Sequence, residues 1–373
     1  MPANLFENIS PDTLRWAFQR AGYDEESALK LYPRLAGWLS GEKKPTAKQL
    51  QDFSDKFHVP IGYLFLEERP VESLPFPMFR GDAGLNNHFD LNIFETVMTA
   101  MSRQNWLEDY LTENEIETCK IVGAIDIYTP IREAVALLRK VLHLEPRWAF
   151  SLANVEAALA ILTQRLEDAG FFISFNGVVG NNTHRSIKVS ECRGFALVSE
   201  VAPYIFINSS DSKNAQMFTI IHEVAHIMLG ISAGHAGTDF AEHHVTERYC
   251  DLMAAEFLVP SDLLKEIWNG DIKDMSKRFR VSEAVIARSA YDLNLINRSI
   301  FNAFWAEYNN RPFTASTKKS GGDFYRTSVK RVGKLFAIHV RNAVSTHQLS
   351  YTDAYRLTGL YGSTYQHFMT NNI

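Results

Sequence analysis

Four short β-prone runs interrupt a chain whose apolar residues otherwise recur at helical spacing. The runs are separated by Gly, Asn and Pro, and they lie at residues 171–175, 186–189, 195–198 and 204–207. Helical spacing flanks them on both sides, with the clearest helices predicted at 91–112, 150–169, 213–229 and 244–257. The sequence therefore predicts an α+β fold that is mostly helical and contains one short sheet.

The chain has 373 residues, and single hydrophobic cores rarely grow past about 250–300 residues. The length therefore predicts more than one domain. Changes in periodicity and a Pro-rich stretch near residues 67–90 suggest where the chain divides. We predict four regions: a set of short helices at 1–70, a linker and helical region at 71–148, a domain containing the sheet at 149–300, and a basic helical region at 301–373.

Composition excludes several protein classes. Apolar residues make up 46% and charged residues 22%, as in soluble globular proteins, and the net charge of −5 gives no whole-protein signal for nucleic-acid binding. Three scattered cysteines are too few for a disulfide framework, which fits a reducing compartment. Without a signal peptide or a membrane-length apolar run, we expect a cytoplasmic protein that does not associate with membranes.

The helix predicted at 213–229 contains the motif His-Glu-x-x-His, formed by His222, Glu223 and His226. Residues four apart lie one turn above each other, so both imidazoles can reach one metal ion. Glu223 can act as the general base toward a water molecule there, because zinc lowers the pKa of such a water to about 7. The motif predicts a zinc-dependent peptidase site, against the alternatives of a structural or decayed metal site.

A catalytic zinc usually has three protein ligands and one open position. Glu247, which begins the next predicted helix after a polar loop, is the candidate third ligand. Asp251 lies one turn later and can accept a hydrogen bond from a ligand histidine, although an ordinary surface carboxylate is the competing interpretation.

Several segments resemble the ImmA/IrrE family of bacterial metallopeptidases. They are residues 193–197, 202–208, 218–226 and 247–260. The resemblance implies a small zincin-like domain, with His222, His226 and Glu247 at the family's metal positions and Glu223 at its base. Cys250-Asp251 stands where many members have Ala-Asn, so the sequence departs from the family's pattern at Asp251.

The N-terminal region resembles the XRE-type helix-turn-helix domain often fused to this family, through residues 35–38, 40–46 and 49–50. Arg34, Lys43 and Lys44 are the candidate DNA-binding residues, because a helix-turn-helix uses basic side chains on phosphates. Residues 1–60 hold eight basic and eight acidic residues, however, so packing on a protein partner or dimerisation is an equal alternative.

Other candidates keep two interpretations each. His235, His243 and His244 can stabilise an oxyanion or be exposed loop residues. Cys119 or Cys192 can cap the zinc as a thiolate or be a buried apolar residue. The runs 195–198 and 204–207 can provide a sheet edge for an extended peptide. The basic tail, 318–356, can contact nucleic acid or an acidic protein, or simply be a solvated face.

Two functions follow. The first is a regulatory zinc endopeptidase that cleaves a partner such as a repressor or antitoxin, in the mobile-element, stress-response or toxin–antitoxin setting that the resemblance implies. The second is an antitoxin or transcriptional regulator that binds a cognate toxin and operator DNA, with little or no turnover. A protein partner encoded nearby is expected in both cases, and a homodimer fits either.

Overall fold

The computed structural model describes residues 9–66, 90–117, 119–235, 241–311 and 323–373, together with Glu68, Pro70, Glu72 and Leu74. The side chains of residues 233–235 and 241–244 lie outside this description. Contacts divide the described chain into two compact units, with a boundary between residues 95 and 96. No helix of the described ranges is both long and apolar enough to cross a membrane.

The first unit consists of short helices around an aromatic core. Its elements are α1 (Pro11–Arg20), α2 (Glu25–Leu31), α3 (Leu35–Leu39), α4 (Ala47–Phe57) and a 3-10 helix (Ile61–Phe65). Ser10, Asp24 and Thr46 cap the first, second and fourth helices by accepting hydrogen bonds from backbone N–H groups. Leu35, Trp38, Phe53 and Phe57 are among the buried residues, so this unit has a hydrophobic core of its own.

Most of the second unit is helical. In chain order its helices are α5 (Leu91–Glu113, whose first turn belongs to the first unit), α6 (Ile131–Leu142), α7 (Val155–Asp168), α8 (Lys213–Leu229), α9 (Ala241–Leu258), α10 (Ser261–Ile267), α11 (Ile272–Phe279), α12 (Glu283–Asp292), α13 (Arg298–Asn310), α14 (Phe324–Val332), α15 (Lys334–Ser345), α16 (Tyr351–Thr358) and α17 (Gly362–Asn371). The mostly helical α+β class predicted from periodicity is confirmed.

The sheet lies between α7 and α9 in the sequence. Its strands are β1 (Phe172–Asn176), β2 (Val178–Val179), β3 (Asn182–Ser186), β4 (Gly194–Leu197), β5 (Tyr204–Asn208) and β6 (Ala233–His235). Four of them form one sheet in the order β1-β5-β4-β6, while β2 and β3 form a separate hairpin. β1 pairs parallel to β5, and the other two pairings of the large sheet are antiparallel. Strands β1, β4 and β5 are buried throughout, because helices α7 and α8 pack against them.

Three sequence expectations about the sheet are wrong. The β-prone run 186–189 is not a strand beyond Ser186, because the hairpin partner of β2 is the more polar, mainly exposed segment β3. The polar loop expected between the predicted helices 213–229 and 244–257 contains β6 and the start of α9. Neither of the runs expected to provide a sheet edge does so, since β4 and β5 are interior and β1 and β6 are the outer strands of the described sheet.

The C-terminal helices pack against the sheet through a backbone contact that only glycine allows. Gly333 joins α14 to α15 with a φ of +90°, and a Cβ there would lie 2.6 Å from the carbonyl oxygen of Ile173 in β1. Phe336 and Val340, on the following helix, are fully buried. The close approach brings α14 and α15 onto β1.

Replacing Gly333 by alanine is therefore expected to lower the free energy of unfolding by about 3 kcal/mol, since backbone strain and overpacking each cost about 1–3 kcal/mol. Gly359→Ala is the matched control. It also has a positive φ, of +68°, but its Cβ would meet only Asn181 Nδ2 at an ordinary 3.5 Å. Chemical denaturation of both variants measures the difference, and equal losses would show that the contact with Ile173 carries no cost.

A buried carboxyl group holds α15 to α7. Glu167 Oε1 accepts a hydrogen bond of 3.3 Å from the backbone N–H of Leu335, and only 8% of the residue is exposed. Burial raises the pKa of Glu167 to about 7, while the backbone N–H groups of Leu335 and Lys334 and the Lys334 charge oppose that shift. The group therefore keeps its proton in the folded protein at a pH where the unfolded chain has lost it.

This shift predicts that the Glu167 carboxyl destabilises the fold as the pH rises. Its folded pKa lies above its unfolded value, so the unfolding free energy falls between about pH 4.5 and 7 and stays low above that. Glu167→Gln should raise stability at pH 8 by on the order of 3 kcal/mol and change it little at pH 4. Denaturation at the two pH values measures this, and an equal effect at both would contradict the assignment.

Candidate metal centre

Helix α8 is the central element of the site and is buried almost along its whole length. The Ser212 side chain caps it by accepting a hydrogen bond from Ala215 N, and Gly230 ends it with a φ of +74°. The apolar residues of the helix pack against α7, α9, β4 and β5. His222, Glu223 and His226 are also at most 1% exposed. The motif predicted from sequence is thus on a rigid, water-poor element.

Helix α9 crosses α8 and brings a carboxylate to the two histidines. Met253, Ala254 and Phe257 bury one face of α9 in the core, which directs Glu247 toward α8. Glu247 Oε2 lies 3.1 Å from His222 Nε2, and Glu247 Oε1 lies 3.2 Å from His226 Nε2. The two Nε2 atoms are 3.1 Å apart. The three side chains predicted as metal ligands therefore converge on one point.

The spacing of these donor atoms fits a tetrahedral metal ion. Ligand atoms about 2.0–2.1 Å from a tetrahedral zinc are about 3.3 Å from one another. The two Nε2 atoms are 3.1 Å apart, and they lie 3.1 and 3.2 Å from one oxygen each of the Glu247 carboxylate, so all three contacts are close to this value. Two imidazoles and a carboxylate are a donor set that zinc accepts, and they leave a fourth position for water or substrate.

Cys250 is a second candidate ligand that the sequence reasoning did not select. Its buried side chain follows Glu247 by one turn, and its Sγ forms a group with His222 and His226 in which all donor atoms lie within 4.8 Å of one another. Burial and the neighbouring carboxylates, Glu247 first among them, raise the pKa of this thiol well above its ordinary value. Cys250, and not Cys119 or Cys192, is the cysteine of this group.

Glu223 points into the protein beside the histidines. Both of its carboxylate oxygens are buried, and neither has a hydrogen-bond partner among the described residues. A buried, unpartnered carboxylate is costly, so its presence here indicates a role outside folding. Glu223 is the residue that the motif predicts as the general base.

Gly194 makes room for Glu223, a role that sequence analysis did not identify. A Cβ at this first residue of β4 would lie 2.7 Å from Thr219 Cγ2 and 2.8 Å from the carbonyl oxygen of Phe206. It would also lie 3.3 Å from Glu223 Oε1. The absence of a side chain lets β4 run against α8 beside the carboxylate.

The ionisable side chains of the site shift one another's pKa values. Burial alone would lower the pKa of His222, but hydrogen bonds to Asp251 and Glu247 and the charge of Glu223 outweigh it and raise that pKa to about 10. Burial, together with the charge of Glu247, raises the pKa of Glu223 to about 8 against the opposing charge of His222. The cluster thus attracts positive charge, which a metal cation would supply in place of protons.

The Asp251 carboxylate contacts the first histidine of the motif. Its Oδ1 lies 3.0 Å from His222 Nδ1, which leaves Nε2 directed at Glu247 and His226. Groups that orient a metal-binding histidine typically contribute about 10–100-fold in metal affinity. We therefore expect Asp251→Ala to weaken zinc binding by that factor, with Asp262→Ala, an exposed acid on α10, as the control. Competition with a chelator measures both, and unchanged affinity in Asp251→Ala would contradict the orienting role.

The other predicted residues lie elsewhere. Arg34, Lys43 and Lys44 are exposed in the first unit, where α3 has only five residues. The side chains of His235, His243 and His244, and Lys318 and Lys319 of the basic tail, lie outside the described residues. Arg331 of the tail is partly buried and donates to Asn181 Oδ1 at 3.2 Å, so this arginine is not part of a solvated face.

Comparison with known families places helices α8 and α9 in a peptidase-like segment. Residues 178–291 match the model of the peptidase M78 family, described as the IrrE N-terminal-like domain, and this segment contains α8 and α9 entirely. Residues 332–371 match a domain of unknown function, DUF8813. No curated protein and no solved structure matches the chain. The resemblance to the ImmA/IrrE family is confirmed over this segment.

Proposed function

We propose that this chain is a zinc-dependent endopeptidase that cleaves a partner protein, such as a repressor or an antitoxin. One observation carries the proposal: the Nε2 atoms of His222 and His226 lie 3.1 Å apart, and each lies 3.1–3.2 Å from one carboxylate oxygen of Glu247. The buried, unpartnered carboxylate of Glu223 lies beside them. The match of the surrounding segment to a peptidase family supports the same reaction class.

In this reaction each side chain of the site would have a separate role. His222, His226 and Glu247 would hold zinc, which when bound supplies the Lewis acidity that polarises a peptide carbonyl and acidifies water. Glu223 would take a proton from the attacking water on a carboxylate oxygen and then deliver it to the leaving amine. Asp251 would keep the His222 ring in the tautomer that has Nε2 free for the metal. The helices and sheet around the site limit access of bulk water.

The test is to express the chain together with the product of a neighbouring gene and to measure the intact masses of both proteins. Glu223→Gln is expressed in parallel. Defined fragments of the partner with the wild type alone would support a site-specific peptidase and locate the scissile bond. An uncut, stable complex with both forms would refute cleavage and favour the second function.

That second function is an antitoxin or transcriptional regulator that sequesters its partner without cleaving it. The observation in its favour is the first unit, which has its own aromatic core and presents Arg34, Lys43 and Lys44 to solvent. Such a unit is more than peptide hydrolysis requires. Binding of operator DNA that is lost in an Arg34, Lys43 and Lys44 triple alanine variant would support it.

A further inference from the structure

A cavity separate from the metal centre lies where the C-terminal helices meet the sheet domain. It has a volume of about 230 Å³ and is bounded by α7, β1, the first turns of α8 and the junction of α14 with α15. Leu159, Ile173, Phe175 and Val329 form much of its wall, so its interior is mainly apolar. Ligand sites commonly combine such an apolar wall with a few placed polar groups.

Three lysines border the cavity. They are Lys213, Lys330 and Lys334, and none of them has an ion pair with a residue of the described ranges. Glu156 and Glu167 are the acidic residues of the lining, so the lysines exceed them by one charge even when both are ionised. The carboxyl of Glu167 is already engaged with the backbone N–H of Leu335. The cavity therefore presents a net positive charge.

The side chain of Lys213 makes its hydrogen bond to a neutral group rather than to an acid. It is partly buried, and its Nζ donates a hydrogen bond of 3.0 Å to the neutral Gln216 Oε1. Burial first, and then the charge of Lys330, hold the pKa of Lys213 below its ordinary value, against the opposing charge of Glu156. An anion between the two ammonium groups would remove this repulsion.

Two helices begin at residues that line the cavity. Lys213 is the first residue of α8, a helix of 17 residues, and Lys334 is the first residue of α15, a helix of 12 residues. The N-cap of α15 is Gly333, which has no side chain, and in the first turn the N–H of Leu335 donates to the Glu167 carboxyl. Backbone N–H groups and the helix dipole favour negative charge at such ends.

We propose that this cavity binds a small organic anion, namely a monocarboxylate with an apolar body of several carbons. Its carboxylate would lie among Lys213, Lys330 and Lys334, and its apolar body against Leu159, Ile173 and Phe175. Such a ligand would contact α14 and α15 together with α8, the helix that carries His222 and Glu223. It would thereby stabilise the packing of the C-terminal helices on the peptidase-like domain.

The probe is octanoate, measured against the full-length chain by isothermal titration calorimetry and by thermal unfolding. Octanol and octylammonium have similar apolar bodies with neutral and positive head groups. We expect octanoate to bind and to raise the melting temperature, octanol to bind at least about tenfold more weakly, and octylammonium not to bind. Absence of octanoate binding, or equal binding of octanol, would overturn the proposal.

Variants locate the site. Lys330→Met with Lys334→Met removes two exposed charges and should weaken octanoate binding by about tenfold or more. Lys277→Met on α11, an exposed lysine outside the cavity, is the matched control and should not change it. Ala160→Leu places a larger side chain into the cavity from the exposed side of α7 and should reduce binding while the lysines remain. Equal octanoate affinity in the wild type and in these cavity variants would overturn the proposal.

Discussion

Glu223→Gln is expected to lower the rate of partner cleavage by about 10²–10⁴-fold, the range typical of losing a general base. Glutamine has nearly the same shape and fits the buried space beside Gly194, so the fold should persist. Its amide cannot accept the proton of the attacking water. The side chains of His222, His226 and Glu247 remain in place, so zinc content should stay at the wild-type level.

The measurement pairs cleavage kinetics with metal analysis and thermal unfolding of the same preparations. The residual kcat of Glu223→Gln is compared with that of Glu191→Gln, a glutamate on the surface that pairs with Lys188. A variant that loses its zinc or unfolds would not test the base. Wild-type turnover in a folded, zinc-loaded Glu223→Gln protein would exclude Glu223 as the base.

Glu247→Gln should have the second largest effect, on metal binding. The substitution replaces an anionic donor by a neutral amide and removes the negative charge that balances the charge of the metal. Loss of a group that only orients a metal ligand typically lowers metal affinity by about 10–100-fold, and we expect zinc affinity to fall by more than that here. Cys250→Ser should change affinity little if Glu247 is the ligand. The two variants are three residues apart on one helix, which makes each the control for the other.

Substitution with cobalt distinguishes the two ligand sets spectroscopically. A site made of two histidines and a carboxylate lacks the intense thiolate-to-metal absorption that a cysteine ligand produces. We expect the wild-type and Cys250→Ser spectra to be the same. A thiolate band that disappears in Cys250→Ser would assign Cys250 as the ligand and remove Glu247 from that position.

Local patterns account for much of the architecture. The bounds of α2 and α8 follow directly from capping residues and apolar spacing, both of which act within a few residues of the chain. The β-prone runs correctly predicted β1, β4 and β5. These strands are buried on both faces, so their sequences are continuous apolar segments. The hairpin of β2 and β3 has polar, exposed residues and gave no such signal.

Part of the candidate site was likewise predictable from local patterns, and part depends on how two helices pack. The spacing of His222, Glu223 and His226 is a property of one helix, so the sequence was enough to bring these residues together. The approach of Glu247 and Cys250 depends on how α9 crosses α8, which is decided by burial of Met253 and Phe257 in a shared core. The sequence analysis selected Glu247 and did not consider Cys250, although side chains three residues apart lie on the same face of a helix.

The roles of Gly194, Gly333 and the lysine-bordered cavity were decided by the tertiary structure alone. Each depends on elements far apart in the chain: β4 against α8, the α14–α15 junction against β1, and four helices and a strand around one apolar space. Local periodicity and capping report only on neighbours within a few residues. Contacts between distant segments follow instead from how the whole core packs, and packing depends on the shapes of all its members at once.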